Sequence, residues 1–288
     1  MSYIVSTDAA ADLPLSYIKQ NDVKTISMRF TLDGAEYVFG NGEAGFQMPE
    51  LFEKLRNGAI AKSQLINTET HIEHFEPYLK DGKDLLHIPL SSGLSGTAEN
   101  AALAAKELSV KYPDRKIIVF DFKGASMGQG LCVDYLVRLR DEGKTIEEAE
   151  EWLKENSMKI CHYFTVDDLG HLKRGGRISG FSSFIGSIVK IKPLLHMNNE
   201  GKLIPLRKVL GRNKALIGLV KEMKALIDGN KQRIFICHAD CKADAQIVAD
   251  KIKDELGIED IVINCMGPII GLHAGPGTVA IFFKGKHR

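Results

Sequence analysis

Hydroxyl groups and glycines cluster in residues 91–97 (SSGLSGT), between an apolar run and an alanine-rich segment with helical spacing. Three serines, one threonine and two glycines are more than one helix cap requires. A loop at a helix N-terminus offers hydroxyls, free backbone N–H groups and the positive end of the helix dipole, which together favour a carboxylate or a phosphate. We therefore expect an anion site here, and the alternative is an ordinary cap with glycines for a tight turn. The segment lacks the Gly-Lys-Ser/Thr ending of a P-loop, so binding of a nucleoside triphosphate is not indicated.

Two further segments combine glycine with polar groups that can bind an anion. Residues 271–277 (GLHAGPG) form a predicted loop that includes His273, whose imidazole can donate a hydrogen bond to an acid. The alternative for His273 is a surface or capping residue. Residues 172–179 (LKRGGRIS) place Arg174 and Arg177 in a basic turn after a predicted helix. Such a turn is typical either of a solvated loop with a glycine cap or of a clamp for a phosphate or an acidic partner, and composition does not decide between them.

A serine hydrolase acting on a small ester or phosphate is an alternative function. Ser92, His273 and either Asp121 or Asp8 fall at predicted strand ends or in adjoining loops, where a Ser-His-Asp triad could assemble. The chain has no Gly-x-Ser-x-Gly elbow, which is the usual sequence signal of such a nucleophile. The hypothesis therefore depends entirely on how the fold brings these side chains together.

Metal and thiol chemistry is not indicated by the sequence. Cys237, His238 and Cys241 lie close together, but no second Cys or His cluster has zinc-site spacing, so a strand end with buried thiols is favoured over a metal site. The five cysteines are an odd number, unlike the stapled framework of a small secreted domain. The N-terminus has no basic and apolar leader, so we expect free thiols and a cytoplasmic location.

Composition sets the broad class of the protein. The 288 residues suggest about two domains at roughly 150 residues each. A net charge of +1 gives no basic excess, so nucleic acid is not expected as a partner. The hydrophobic content of 44% and the charged content of 26% are ordinary for a folded protein with a packed core.

Alternating short apolar runs and longer amphipathic segments predict an α/β fold. In the first half, Thr145 and Glu148 have the spacing of a capping box at a helix start. We predict an N-terminal domain over residues 1–159 with a mostly parallel α/β/α sheet. Its expected strands are residues 3–6, 23–30, 84–90 and 116–120, and its expected helices are residues 49–57, 70–79, 97–111 and 126–141.

The second half predicts a mixed α/β domain over residues 160–288. Asn199, Glu200 and Gly201 separate two apolar runs as a hairpin turn does, so antiparallel pairs should accompany the α/β units. The uncharged stretch 261–283 contains glycines and prolines that would break a spanning helix, and we interpret it as strand, loop and strand. The expected strands are residues 160–166, 190–197, 203–209, 233–238, 260–264 and 278–283, and the expected helices are residues 213–227 and 243–256.

Taken in order, several short motifs resemble those of the DegV family, whose fatty-acid-binding members serve bacterial fatty acid kinase. Each motif is modest alone, and their order along nearly the whole chain is specific. The motifs are Thr7-Asp8 with Asp12-Leu13-Pro14, Ser63-Gln64, residues 91–97, Asp121 with residues 125–130 (ASMGQG), residues 172–179, Lys192-Pro193-Leu194-Leu195 and residues 271–277.

The resemblance implies a carrier rather than an enzyme. One long-chain fatty acid would lie in a buried apolar tunnel between the two domains, with its carboxylate near the serine-rich loop. A separate ATP-dependent kinase subunit would convert the acid to an acyl phosphate, so the chain itself would need no catalytic residue and no cofactor besides the bound acid. Transient membrane contact fits such a role, whereas a membrane span does not.

The resemblance also suggests which residues do what. We expect the carboxylate to contact Ser63, Ser92, His273 and the backbone amides from Gly93 to Ser95. The Ser95 side chain and Lys62 are second choices, because Ser95 can cap the helix and Lys62 can point to solvent. We assign Arg174 and Arg177 to docking of the kinase, since an apolar chain gives guanidinium groups no necessary role.

Four positions depart from the family pattern. Lys62 stands where a threonine is usual, and Ile66 stands where the family has a second hydroxyl. Ala9 replaces the serine after the early aspartate, and Leu210 replaces an arginine after the hairpin, with Lys208 retained and Arg212 nearby. These changes predict an altered head-group site and bear on the preferred acid and on the kinase partnership.

Overall fold

The structure, a computed structural model, describes residues 3–40, 43–44, 47–177 and 191–288. Its strands are β1 (Ile4–Asp8), β2 (Lys24–Ile26), β3 (Met28–Leu32), β4 (Ala35–Gly40), β5 (Glu43–Ala44), β6 (Ala61–Ser63), β7 (Leu85–Ile88), β8 (Ile117–Val119), β9 (Ile160–Thr165), β10 (Ile191–Met197), β11 (Leu203–Leu210), β12 (Ile234–His238), β13 (Ile261–Cys265) and β14 (Val279–Lys284). Its α-helices are α1 (Leu15–Gln20), α2 (Met48–Arg56), α3 (Thr68–Lys80), α4 (Thr97–Lys111), α5 (Ser126–Asp141), α6 (Ile146–Asn156), α7 (Gly170–Gly175), α8 (Arg212–Leu226), α9 (Lys242–Leu256) and α10 (Pro268–Ala274).

The first sheet is parallel, as predicted, with strand order β2-β1-β7-β8. Every residue of β1 and β7 is buried. Strands buried on both faces read as continuous apolar runs, which is why these segments were recognisable without alternation. The helices α4 and α5 begin and end at the predicted residues, and α6 begins with the predicted capping box between Thr145 and Glu148.

The second sheet is mixed, also as predicted, with strand order β11-β10-β9-β14-β12-β13. Only β12 and β13 pair in parallel; the other neighbours are antiparallel. The hairpin between β10 and β11 closes where expected, with the Asn198 amide 3.0 Å from the Lys202 carbonyl oxygen. Gly201 has a φ of +74° there, a left-handed conformation that favours glycine. Position 190, where that first strand was predicted to start, lies outside the described residues.

A third, antiparallel sheet with order β5-β4-β3-β6 was not predicted. The single strand expected over residues 23–30 is wrong, because the chain breaks at Ser27 and continues as β3 in this separate sheet. The strand β6 is three residues long, too short to give a periodic signal, yet it carries both Lys62 and Ser63.

Two predicted loops are partly helical. The interpretation of residues 261–283 as strand, loop and strand is wrong in its middle part, because α10 lies between β13 and β14 and includes His273 in its last turn. Likewise α7 includes Arg174, so the basic segment is not a turn until Gly176. Pro268 at the first helical positions of α10 supplies a preset φ, which explains how so glycine-rich a segment begins a helix. Ile178 and Ser179 lie outside the described residues.

The helix α5 links the two halves of the fold. Its first half is entirely buried, and it packs against β1 and also against β9, β12 and β14 of the mixed sheet. One apolar core therefore includes Tyr3 from the beginning of the chain and Phe282 from β14. The domain boundary after residue 159 stays a prediction. None of the helices among the described residues is long and apolar enough to cross a membrane.

Candidate binding site

A cavity of about 210 Å³ lies where the three sheets and α10 meet. A single water needs roughly 10 to 15 Å³ on the same measure, so the cavity can hold a ligand of many atoms. Its inner wall is buried and mostly apolar, and its buried polar side chains, Ser126, His162 and Thr278, are hydrogen-bonded within the protein. Such a wall makes water a poor occupant and an apolar chain a good one. Side chains from six parts of the fold contribute to this wall: Met28, Leu90, Phe164, Met197, Ile269 and Phe282.

Polar side chains collect at the mouth of the cavity. Ser63 from β6, Ser95 before α4, His273 from α10 and Arg177 after α7 all line it. Ser63 Oγ lies 2.8 Å from His273 Nε2, although 210 positions separate the two residues. Four segments that are far apart in sequence thus place two hydroxyls, an imidazole and a guanidinium around one opening.

The imidazole of His273 is neutral at pH 7. Burial, and secondarily the positive charge of Arg177, lower its pKa to about 4. Its Nδ1 is buried and has no hydrogen-bond partner among the described residues. The Ser63 hydroxyl and the neutral imidazole of His273 have one hydrogen-bond donor each, an O–H and an N–H. One of these two hydrogens lies in the hydrogen bond between them. The pair can therefore donate one further hydrogen bond to a ligand oxygen.

Ser95 connects the mouth to the N-terminus of α4. Its Oγ accepts a hydrogen bond of 3.3 Å from the Thr97 backbone N–H and lies 3.0 Å from Thr97 Oγ1. Gly96 is the N-cap residue of α4, and Ser95, one residue before it, accepts the first N–H group of the helix while it also lines the cavity. The N-terminus of the fifteen-residue helix α4, which carries the positive end of the helix dipole, lies at the same opening. It favours an anionic group there.

The two arginines assigned to partner docking differ in position. Arg177 lines the cavity, and its guanidinium donates hydrogen bonds to the carbonyl oxygens of Leu94, at 3.2 Å, and Gly175, at 2.5 Å. Arg174 is exposed on α7 and does not line the cavity. Docking by these residues stays a prediction, but the guanidinium of Arg177 has a place at the mouth that the sequence did not indicate.

Three of the predicted carboxylate contacts do not line the cavity. Ser92 Oγ is hydrogen-bonded to Lys123, and the Gly93 amide donates to Ser91 Oγ at 3.1 Å. Lys62 is exposed, on the opposite face of β6 from Ser63, because successive strand residues point to opposite faces. Direct contacts from these three residues stay predictions that the geometry does not favour.

The predicted triad of the hydrolase alternative is not assembled. Ser92 is bonded to Lys123, which in turn lies 2.7 Å from Asp121, and His273 is bonded to Ser63 instead. Asp8 is occupied by backbone N–H groups and by the Gln129 amide. A nucleophile, its base and an orienting carboxylate must form one chain of hydrogen bonds, and these residues form separate ones.

The thiols of Cys237 and Cys241, at and just after the end of β12, are hydrogen-bonded within the protein. Cys237 is fully buried and lies 3.8 Å from Asp12 Oδ2, while the Cys241 amide is 3.4 Å from His238 Nδ1. Burial raises the pKa of the Cys241 thiol to about 12, which makes it a poor nucleophile. Among the described residues, no group of three or more His, Cys, Asp or Glu side chains is placed to hold a metal ion.

The departures from the family pattern avoid the cavity. Lys62 and Leu210 are exposed, whereas Ala9 and Ile66 are buried, and none of the four lines the cavity. The side chains at the mouth are therefore unchanged by these substitutions.

His162 also lines the cavity, although no sequence motif pointed to it. It is 3% exposed on β9, and its two ring nitrogens are bonded to the Ile160 carbonyl oxygen, at 3.1 Å, and the Ala125 amide, at 3.3 Å. A histidine within a fully buried strand is the signal that could have drawn attention to it, since such a ring must find internal partners.

The three sheets and the cavity define an α/β protein built around an internal binding site. A family model described as "Uncharacterised protein, DegV family" matches residues 3–286. The chain belongs to the DegV family. It is 41% identical to a DegV domain-containing protein of Clostridium perfringens over 98% of this chain and 97% of the relative.

Two further similarities carry information about ligands. The chain is 30% identical to a protein of Thermotoga maritima named fatty acid-binding protein, over 97% of this chain and 96% of the relative. It also superimposes on the structure of a DegV family protein from Thermus thermophilus described by its fatty acid binding, with a TM-score of 0.88 and 28% identity. That similarity covers 98% of this chain and 99% of the other.

Proposed function

We propose that this protein binds one long-chain fatty acid, with the acyl chain along the apolar inner wall and the carboxylate at the polar mouth. The observation that carries the proposal is the division of one cavity into a mostly apolar, buried interior and a mouth with Ser63, Ser95, His273 and Arg177. An acyl chain gains about 0.8 kcal/mol per buried CH₂, while the carboxylate needs hydrogen-bond donors when it leaves water. The fatty acid binding of two relatives supports the proposal.

At the mouth, we propose that the carboxylate lies between the Ser63–His273 pair and the guanidinium of Arg177. The neutral imidazole adds a donor without a charge that would need its own partner. Arg177 supplies the positive charge, and the α4 N-terminus adds to it. This arrangement gives affinity through the chain and orientation through the head group.

The first experiment asks whether the protein holds a fatty acid at all. Organic extracts of protein purified from a host supplied with fatty acids should contain one fatty acid per chain by mass spectrometry. Ala280→Phe is the matched control, because Ala280 lines the cavity and a phenyl ring there would occupy the space of the chain. A folded wild-type protein without fatty acid, or equal amounts in both variants, would count against the proposal.

A finer proposal is that the bound acid is presented to a separate ATP-dependent kinase that forms an acyl phosphate. Arg174 is the residue to test, since it is exposed and lies on α7, next to the mouth but outside its lining. Arg174→Ala should keep the bound acid and lower the yield of acyl phosphate, with a further decrease at high salt because exposed charges are screened. An unchanged yield would refute docking through Arg174.

A further inference from the structure

Arg288 binds backbone carbonyl groups from several separate segments of the fold. Its side chain is half-buried and stands over the ring of Phe122, 6.0 Å from the centroid. The guanidinium group has five N–H donors, and all five are used on carbonyl oxygens. The acceptors and distances are Ile160 at 3.0 Å, Lys123 at 2.7 Å, Asn198 at 3.4 Å, Phe122 at 3.3 Å and Ser157 at 3.3 Å.

Each of three such segments leads directly into the inner wall of the cavity. Lys123 is two residues before Ala125, and Asn198 directly follows Met197. On β9, Ile160 is two residues from His162. All three of these neighbours line the cavity and are less than 7% exposed. Arg288 therefore holds backbone groups that lie one or two residues away from side chains of the cavity wall.

His162 couples two of these segments in the same network. The Ile160 carbonyl oxygen accepts from both Arg288 Nε and His162 Nδ1, and His162 Nε2 accepts from the Ala125 amide at 3.3 Å. The packing around the ring is tight, since a Cβ on Gly128 would come within 2.1 Å of His162 Nε2. Arg288 and His162 thus join the backbone at Ile160 and Ala125 in one hydrogen-bonded network.

The guanidinium of Arg288 is unusual because carbonyl oxygens, rather than a carboxylate, surround it in the described part of the chain. Among the described residues, no ion pair of its guanidinium lies within 4 Å, and the charge of Asp121 acts on it only from a longer distance. A cation removed from water costs free energy that carbonyl dipoles recover only when the geometry is well defined. Burial lowers the pKa of Arg288 to about 10, so the group remains charged at pH 7. A role in fixing the relative positions of the segments would explain why the fold retains this partly buried guanidinium despite the free-energy cost of burying its charge.

We propose that Arg288 is a positioning residue that fixes the inner wall of the cavity and so sets the longest acyl chain that fits. This inference rests on the proposed function, because it assigns a chain-length limit to the same cavity. The residue does not touch the ligand; it acts through His162, Ala125 and Met197. Without it, the wall can shift and admit a longer chain.

The test compares chain-length profiles. Binding of saturated acids from dodecanoate to icosanoate is measured for the wild type, Arg288→Gln, Arg288→Lys and Gln232→Ala. Gln232 is the matched control, because its amide also ties backbone carbonyls, those of Asp228, Gly229 and Lys284, but lies away from the cavity lining. The compared quantity is the affinity for the acid two carbons longer than the wild-type optimum, divided by the affinity for the optimum itself. In Arg288→Gln this ratio should rise about fifteenfold, the value for two newly buried CH₂ groups.

The outcomes separate a positioning role from general stability. Gln232→Ala should keep the wild-type profile even if its melting temperature falls. A parallel loss of affinity for all acids in Arg288→Gln, with the profile unchanged, overturns the inference. If Arg288→Gln does not fold, Arg288→Lys decides: it retains the charge and three donors in a different geometry, and an unchanged profile again overturns the proposal. If the wild type binds none of the acids, the proposed function itself fails.

Discussion

Replacing Arg177 by glutamine removes the positive charge from the mouth of the cavity while preserving a polar side chain. A hydrogen bond to a charged group contributes roughly 1.5 to 3 kcal/mol. Arg177 is exposed, so solvent screens its charge and the lower end of that range applies. At about 1.4 kcal/mol per factor of ten, we expect Arg177→Gln to weaken fatty acid binding about tenfold.

The assay compares a fatty acid with the fatty alcohol of the same chain length. The alcohol has no negative charge, so its affinity should be the same for the wild type and Arg177→Gln. The matched control is Arg174→Gln, an arginine of the same basic segment that does not line the cavity. It should leave the affinities of both ligands unchanged.

An independent readout is the titration of His273 followed by NMR. The charge of Arg177 contributes to the low pKa of His273, so Arg177→Gln should raise that pKa above about 4. Arg174→Gln should not move it. Equal acid affinity in Arg177→Gln and the wild type, or an equal loss for acid and alcohol, would refute the assignment of Arg177 to the carboxylate.

Three further results are expected. Ser63→Ala should weaken binding of the acid about tenfold or more, while Ser92→Ala should have little effect by isothermal titration; the reverse order would favour the contact predicted from the sequence. Burial raises the pKa of Asp12 from 3.8 to about 7, so the unfolded chain releases this proton at a lower pH than the folded protein does. Between pH 4 and pH 7 the wild type should therefore lose stability relative to Asp12→Asn, as urea titrations would show. Parallel pH curves would contradict this. Thr145→Ala should lower the free energy of unfolding by about 1 kcal/mol without changing ligand affinity, because it removes only a helix cap.

Local sequence patterns determined much of the fold. The helices α4 and α5, the capping box at Thr145 and the hairpin at Gly201 were predictable because their signals lie within a few residues of each other. Apolar runs also located the buried strands and hence the parallel and mixed sheets. The motif order along the chain, rather than any single motif, indicated the DegV family, which the family model confirms.

Short elements and strand partnership needed the tertiary structure. The strand β6 and the helix α10 are too short for periodicity to show, and the break at Ser27 depends on which sheet each half of the segment joins. Propensity and pattern describe neighbours along the chain, whereas the third sheet is decided by packing between distant segments.

The site shows the same division most clearly. The sequence indicated Ser63, Ser92 and His273 as polar groups near an anion, but only the fold decided that His273 meets Ser63, at 2.8 Å, while Ser92 meets Lys123. The position of Arg177 on the cavity lining was likewise beyond any local pattern. Residue type determines what a side chain can donate or accept, and the packing of distant elements determines which partner lies within reach.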